Sequence, residues 1–494
     1  MKLCKVKPGL WWLLALSSIL FIITRINPLL SHNVAYTYDQ GRDFLKASEL
    51  VDQKDLTFIG PTTGINGLFH GAWWYYLLTI PYLLFQGLPI GFYYFNALIH
   101  LISLLALVIF SYLEFGFLIA VFAGLVVISS PYFNSTSLFV GNNIMAIPSV
   151  LALVISLYYL IKFNSKTVLR PKLFFINALA LGFVSEFELS FGLFLIPSYL
   201  IILILFPILR QQFLKFKNWF WFMFGLGLVF LPRILFELKN NFSQTKILLG
   251  FFLEPKLHNP KSFVTVLKER WQLFQGYYES LFTHQFIQLA VSFFLIGILI
   301  YSLHKKSLKK HLIIILFLLF LLFTISLVYK DNFWGNYFEG VHYLILIIIL
   351  LIFKQSKSWL TKLFLSLTNG FLTVLLLIKI FSPTNDPTQL SGLAAHEAVV
   401  DYIYKNNGQQ SLINIYTPPA IPYTYRYLFY YHHRFNQQSL VVDKWTSNNT
   451  GWYILEHDDF ADRKQNWINI NIPNDAKLIK NKKIANIEVQ QWKR

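Results

Sequence analysis

Of the 494 residues, 55% are hydrophobic and only 13% are charged, which excludes a soluble globule for most of the chain. The net charge of +18 does not point to nucleic acid: the lysines and arginines sit in short clusters between apolar runs, where they would face anionic lipid head groups, and no nucleic-acid-binding motif is present. A single cysteine, Cys4, excludes an intramolecular disulfide and a CxxC metal site.

The N-terminus places basic residues before an apolar run and lacks a small-x-small cleavage site, so it reads as a retained first helix over 9–29. Ten further spans are predicted near 90–113, 115–131, 142–162, 173–187, 189–208, 219–236, 285–303, 312–329, 338–353 and 359–381, giving about 11 transmembrane helices. The segment WWYYLLTIPYLLFQG at 73–87 decides the parity. If it does not cross, the basic clusters around Lys162 to Lys172, Arg210 to Lys217, Lys305 to Lys310 and Lys354 to Lys362 all fall on the side of Lys2, Lys5 and Lys7. Residues 73–87 are therefore predicted to lie along the interface, or to form a re-entrant hairpin, which preserves the same parity. The N-terminus is then cytoplasmic and the protein is expected in the plasma (inner) membrane. Residues 31–89, 132–141, 237–284, 330–337 and everything after about 382 are expected on the extracytoplasmic side.

Straight after the first span comes YTYDQGRD. Asp39 and Asp43 are four residues apart, so a helix beginning at Asp39 carries both on one face near its positive end. The following RDFLKASELVDQ has apolar residues at helical spacing, Phe44, Ala47 and Val51, and is expected to lie flat on the membrane. A glycine-rich stretch then delivers His70 to the aromatic helix. From about 384 the turn-rich PTNDPT introduces a more polar segment of about 110 residues, a normal size for one core. The predicted domains are 1–383, membrane-embedded, and 384–494, a small C-terminal α/β domain: HEAVVDYIYKNNG reads as a helix, SLINIYTPP and GWYILEHDD as strands, and TYRYLFYYHHR as either.

The order of a first span, Asp-Gln-x-Arg opening an outer loop, and His70 before an aromatic apolar helix resembles the GT-C superfamily of membrane glycosyltransferases. The likeness is to the protein O-mannosyltransferase and aminoarabinose transferase type, broadly glycosyltransferase family 39. Gln40 stands where such enzymes carry Glu, and Gly71 where they carry Pro. The resemblance implies a GT-C-like fold and inverting transfer of a sugar from a polyprenyl-phosphate donor to a hydroxyl-bearing acceptor (protein, glycan or lipid) outside the cytoplasm. It assigns Asp39 as general base, with Asp43 as the alternative or a partner, and His70 near the donor phosphate; by position, Arg42 is expected to hold the phosphate or to pair with Asp39 or Glu49, and Arg233, near the outer end of an apolar span, is a second phosphate candidate. No cofactor is implied. The Gln at position 40, together with Asn142 and Asn143 where relatives often carry a second acid, argues against a metal held by two carboxylates.

Other polar groups gather at outer junctions. SEFELS sets Glu186 and Glu188 at the turn between two short apolar helices, and YKDNFWGNYFEGVHYL presents Tyr337 and Glu339; these are candidate sugar or acceptor contacts. His432 and His433 are adjacent, unlike spaced zinc ligands. The rival reading is a transporter or flippase of a lipid-linked saccharide, whose usual related halves and broken midplane helices are not evident here.

Overall fold

A computed structural model describes residues 8–163, 170–253, 259–306, 308–356, 358–382, 390–406, 412–418, 421–436 and 450–493. Helices stand at all eleven predicted places: α1 (Pro8–Leu30), α4 (Pro89–Phe115), α5 (Phe117–Ser129), α7 (Ala146–Lys162), α8 (Arg170–Phe187), α9 (Leu189–Leu205), α11 (Phe216–Lys239), α14 (Gln285–His304), α15 (Lys310–Ser326), α16 (Val341–Gln355) and α17 (Trp359–Phe381). Between them lie α2 (Tyr38–Ser48), α3 (Trp73–Leu84), α6 (Pro131–Ser137), α10 (Pro207–Phe213), α12 (Ser243–Leu253) and α13 (Phe263–Glu279). The chain is a multi-pass membrane protein. Among the described residues six helices are individually long and apolar enough to cross, and two bent pairs raise that to eight.

The bends have local causes. Proline fits the first turn of a helix, where its missing N–H would have no partner anyway; Pro131 starts a new helix at 61° to the one before it, and Pro207 does so at 97°. Helix α3 has 12 residues, about 18 Å at 1.5 Å per residue, too short to cross a hydrocarbon core. It is one helix, not a re-entrant hairpin.

Helix α2 begins at Tyr38, early enough to include both aspartates, and opens with a capping box in which the Thr37 backbone N–H donates to Gln40 Oε1 at 2.8 Å. Its apolar face is not left for lipid, contrary to the flat-lying arrangement expected from its periodicity. Phe44 is fully buried, stacked on Phe92 of α4 at 3.9 Å and met edge-on by Tyr427 at 5.3 Å. A face that one amphipathic period would offer to lipid or to protein is here covered by protein, because the C-terminal part of the chain supplies the second layer.

That part is an α/β unit. Strands β3 (Leu412–Tyr416), β4 (Thr450–Leu455), β5 (Lys477–Ile484) and β6 (Ile487–Lys493) form a sheet ordered β3-β4-β6-β5, parallel between β3 and β4 and antiparallel elsewhere. Helices α18 (Gly392–Asn406) and α19 (Tyr423–Phe435) accompany it, and α20 (Ala461–Asn471) packs over β3. The 423–435 segment, open between helix and strand from sequence, is a helix. The predicted linker PTNDPT, 383–388, lies outside the described residues.

The α/β unit is joined to the first loop by backbone. Leu393 N–H donates to Val34 O at 2.9 Å and Ala394 N–H to His32 O at 3.0 Å, while His32 pairs with Glu397 at 2.6 Å. Tyr36 and Tyr427 donate their hydroxyl protons to Thr424 O and Gly87 O. At Gly41 the approach is closest: a Cβ there would stand 2.4 Å from the carbonyl carbon of Tyr423, so only glycine admits the start of α19.

Candidate active site

The first turns of α2 set Asp39, Arg42 and Asp43 side by side, and Arg42 joins the two carboxylates. Its Nη1 lies 2.9 Å from Asp39 Oδ1; its Nε and Nη2 each lie 2.8 Å from Asp43 Oδ1. The carboxylates differ in what surrounds them. Asp43 is 2% exposed, and its second oxygen accepts a hydrogen bond from Trp74 Nε1 of α3 at 2.7 Å. Asp39 is 62% exposed. Burial pushes the Asp43 carboxyl up to about 6 against the opposing pull of Arg42 and Trp74. For Arg42, burial disfavours the charge, but Asp43, Tyr75 and Asp39 outweigh it and its pKa is raised. The consequence is one guanidinium fixed from below by a buried carboxylate and one carboxylate left open to reactants.

Gln40 is not part of this chemistry. It is 1% exposed, closes the capping box and donates from Nε2 to Val140 O at 2.5 Å, tying α2 to the loop before α7. The polar residue at that position serves the scaffold.

A hairpin of β1 (Ile59–Thr62) and β2 (Phe69–Gly71) carries His70. Leu189 N–H donates to His70 Nδ1 at 3.3 Å, which leaves the proton of the neutral ring on Nε2. Burial, then the charges of Arg233 and Arg42, lower its pKa to about 3. His70 thus offers a hydrogen bond but no charge.

Beside the hairpin, Arg233 of α11 pairs with Glu186 of α8, Nε to Oε1 at 2.7 Å, and donates from Nη1 to Phe69 O at 3.1 Å. Its Nη2 is buried without a partner, as is Glu186 Oε2. A buried pair of this kind is costly unless its remaining groups are met, which marks it as poised for one more polar contact. Gly71 is what lets the pair reach the hairpin: a Cβ there would lie 2.0 Å from Glu186 Oε2. The departure from proline at this position therefore makes room as well as altering loop stiffness.

Glu188 caps α9, accepting from Ser190 N–H at 3.2 Å, and is 4% exposed. Burial pushes its carboxyl up to about 8, and Glu339 adds to the effect. Glu339, in the loop before α16, is 7% exposed and pushed up to about 7 by burial, opposed by a hydrogen bond from Tyr132. Tyr337 is half-buried within electrostatic reach of Glu188. Because His70 accepts from the residue next to Glu188, the first-loop cluster and this acid pair meet at the start of α9.

The structure thus brings Asp39, Arg42 and Asp43 into contact, joins Glu186 to Arg233, and sets His70 within electrostatic reach of both arginines. Glu188, Glu339 and Tyr337 form a neighbouring acidic set. Sequence reasoning did not find Trp74 as the partner of Asp43, nor Gln244, whose Oε1 accepts from Phe69 N–H at 3.0 Å and from Arg233 at 3.3 Å. Trp74 was visible only as one of four consecutive aromatics. Among the described residues no three His, Cys, Asp or Glu side chains converge as a metal would require.

No protein-family model matches the sequence, and no curated protein does. Two crystal structures of ArnT from Cupriavidus metallidurans, one bound to undecaprenyl phosphate and one in the apo state, superpose on this chain with a TM-score of 0.58 at 12% identity, covering 97% of each chain. At that identity the likeness is one of fold, and the fold is the GT-C-like one expected from the first loop.

Proposed function

We propose that the chain is an inverting glycosyltransferase that moves a sugar from a polyprenyl-phosphate carrier to a hydroxyl acceptor on the extracytoplasmic side of the plasma membrane. The observation that carries the reading is the unequal pair on α2: an exposed carboxylate and a buried one held by a single arginine. The likeness in fold to ArnT, which binds undecaprenyl phosphate, supports the choice of donor.

In this reaction the acceptor oxygen attacks the anomeric carbon from the face opposite the phosphate. The bond between that carbon and the phosphate oxygen breaks, and its electron pair leaves with the lipid phosphate. The acceptor proton passes to Asp39, whose exposed carboxylate is the one a reactant can reach, and returns to water afterwards. Asp43 has both oxygens engaged and acts as the positioning residue that aims Arg42. Arg42 and the unpartnered Nη2 of Arg233 are the cations available to the leaving phosphate, and His70 Nε2–H is a neutral donor within electrostatic reach of both. Glu186 fixes Arg233; Glu188, Glu339 and Tyr337 face the sugar or acceptor. The reading uses no cofactor and no metal.

The test is turnover by the full chain in proteoliposomes supplied with undecaprenyl-phosphate sugars and a mixed hydroxyl acceptor. Release of undecaprenyl phosphate with a glycosylated product supports the transferase. Movement of intact lipid-linked sugar across the bilayer, without release, sinks it in favour of a flippase.

A further inference from the structure

The strand of chain leading into α2 forms one wall of a cavity of about 260 Å³, and the C-terminal α/β unit forms the rest. Tyr36, Thr37 and Tyr38 come from the first loop; His396, Glu456 and His457 come from α18 and the end of β4. The volume is somewhat below the ~300–1,000 Å³ of pockets for drug-sized ligands, and so suits a single ring.

Its chemistry is specific in what it lacks. No lysine or arginine lines it and the Glu456 carboxylate does, which disfavours a phosphate or another anion. What it offers is the partly exposed ring of Tyr38 and hydrogen-bonding groups. Tyr36 meets the His396 ring edge-on at 5.4 Å, and Tyr38 meets Tyr423 edge-on at 4.9 Å, so both tyrosines are held. Glu456 Oε1 lies 3.0 Å from His396 Nε2, whose Nδ1 is in turn 2.7 Å from Gly392 O. A carboxylate braced in this way, with Thr417 and Thr424 on the same lining, presents acceptors and donors to neutral hydroxyls. A ring with apolar C–H faces and equatorial hydroxyls satisfies both the aromatic and the polar part of the lining.

The cavity also adjoins the reactive groups. Tyr38, one of its walls, immediately precedes Asp39, and the Arg42 guanidinium lies over the Tyr38 ring at 5.8 Å. We propose that this seam between the first loop and the C-terminal unit is the acceptor subsite, and that it takes an uncharged pyranose, so that the acceptor is a glycan or a glycolipid head group bound through a sugar ring rather than a protein side chain. This deepens the transferase reading and rests on it for the word acceptor; the binding itself does not.

The experiment is saturation-transfer difference NMR on the full chain in nanodiscs. The probes are methyl α-D-mannopyranoside, methyl β-D-galactopyranoside and the methyl glycoside of N-acetylglucosamine, with an uncharged Ser/Thr-rich peptide as the competing class. At least one glycoside should bind, and Glu456→Gln should weaken it about tenfold, the scale of losing a hydrogen bond to a charged group. His457→Trp, at an exposed position on the rim, should abolish the signal by filling the cavity while the unfolding temperature stays near that of the wild type. The proposal is overturned if no glycoside in the panel binds, if binding is undiminished in both variants, or if the peptide alone binds. If the glycoside binds as described but the protein never releases undecaprenyl phosphate, the pocket stands and the transferase reading falls. If release occurs and the glycosides do not bind, the reverse holds.

Discussion

Two acidic regions meet at the start of α9, and they treat their carboxylates in opposite ways. On α2 the carboxylates share an arginine, one buried and one exposed. At Glu188 and Glu339 both acids are buried, no cation figures among the groups acting on them, and burial drives both towards the protonated form. The contrast teaches that burial alone does not make a base. On α2 an exposed carboxylate beside a fixed cation is within reach of a reactant, whereas burial without a cation pushes Glu188 and Glu339 towards the protonated form.

The comparison breaks first at Asp39. Asp39→Asn keeps the size and removes the proton acceptor, so sugar transfer should fall about 10²- to 10⁴-fold with donor binding retained; full activity in that variant would remove the base from α2. Asp43→Asn should cost about tenfold in kcat by loosening Arg42, on the scale of one charge-assisted hydrogen bond. It should also erase a feature of the wild-type pH profile. Asp43 must be ionised to hold Arg42, so wild-type activity rises as pH climbs through about 6 and the variant's does not. An acid limb that survives in Asp43→Asn would show that another group sets it.

Gly71→Ala drives a methyl into Glu186 and should lower stability by roughly 1–3 kcal/mol, read from the unfolding temperature in detergent. The smallest effect sharpens the second region. Burial raises the Glu188 carboxyl from 4.5 to about 8, so its contribution to stability is fully present below about 4.5, declines as pH climbs and is lost by about 8. Between pH 6 and pH 9 the unfolding temperature should therefore fall, and Glu188→Gln should shrink the fall by a few degrees, on the scale of ~1 kcal/mol. A variant with the wild-type slope would mean that Glu188 is ionised throughout.

Much of this was legible in the sequence because hydropathy and spacing are local. Eleven apolar runs announced eleven helices, and the four-residue step from Asp39 to Asp43 meant that a helix starting at Asp39 would carry both acids on one face. What stayed hidden depends on distant pieces of chain. Asp43 becomes the buried acid because α3 folds back to put Trp74 against it, and nothing near residue 43 encodes that. Phe44 and Ala47 read as lipid-facing because their covering layer lies at the far end of the sequence. Strand β5 escaped notice for a different reason: it is an exposed sheet edge carrying Lys477, Lys480, Lys482 and Lys483, which protects the edge from pairing and erases the alternation by which strands are recognised.

The bare backbone at Gly41 has a consequence for when the protein becomes competent. Its nearest neighbours are residues 423 and 424, so a nascent chain emerges with α2 half-clothed and acquires the missing side only once the C-terminal α/β unit has followed. A product stalled or clipped before residue 423 keeps Asp39, Arg42 and Asp43 and lacks the layer that packs against their helix.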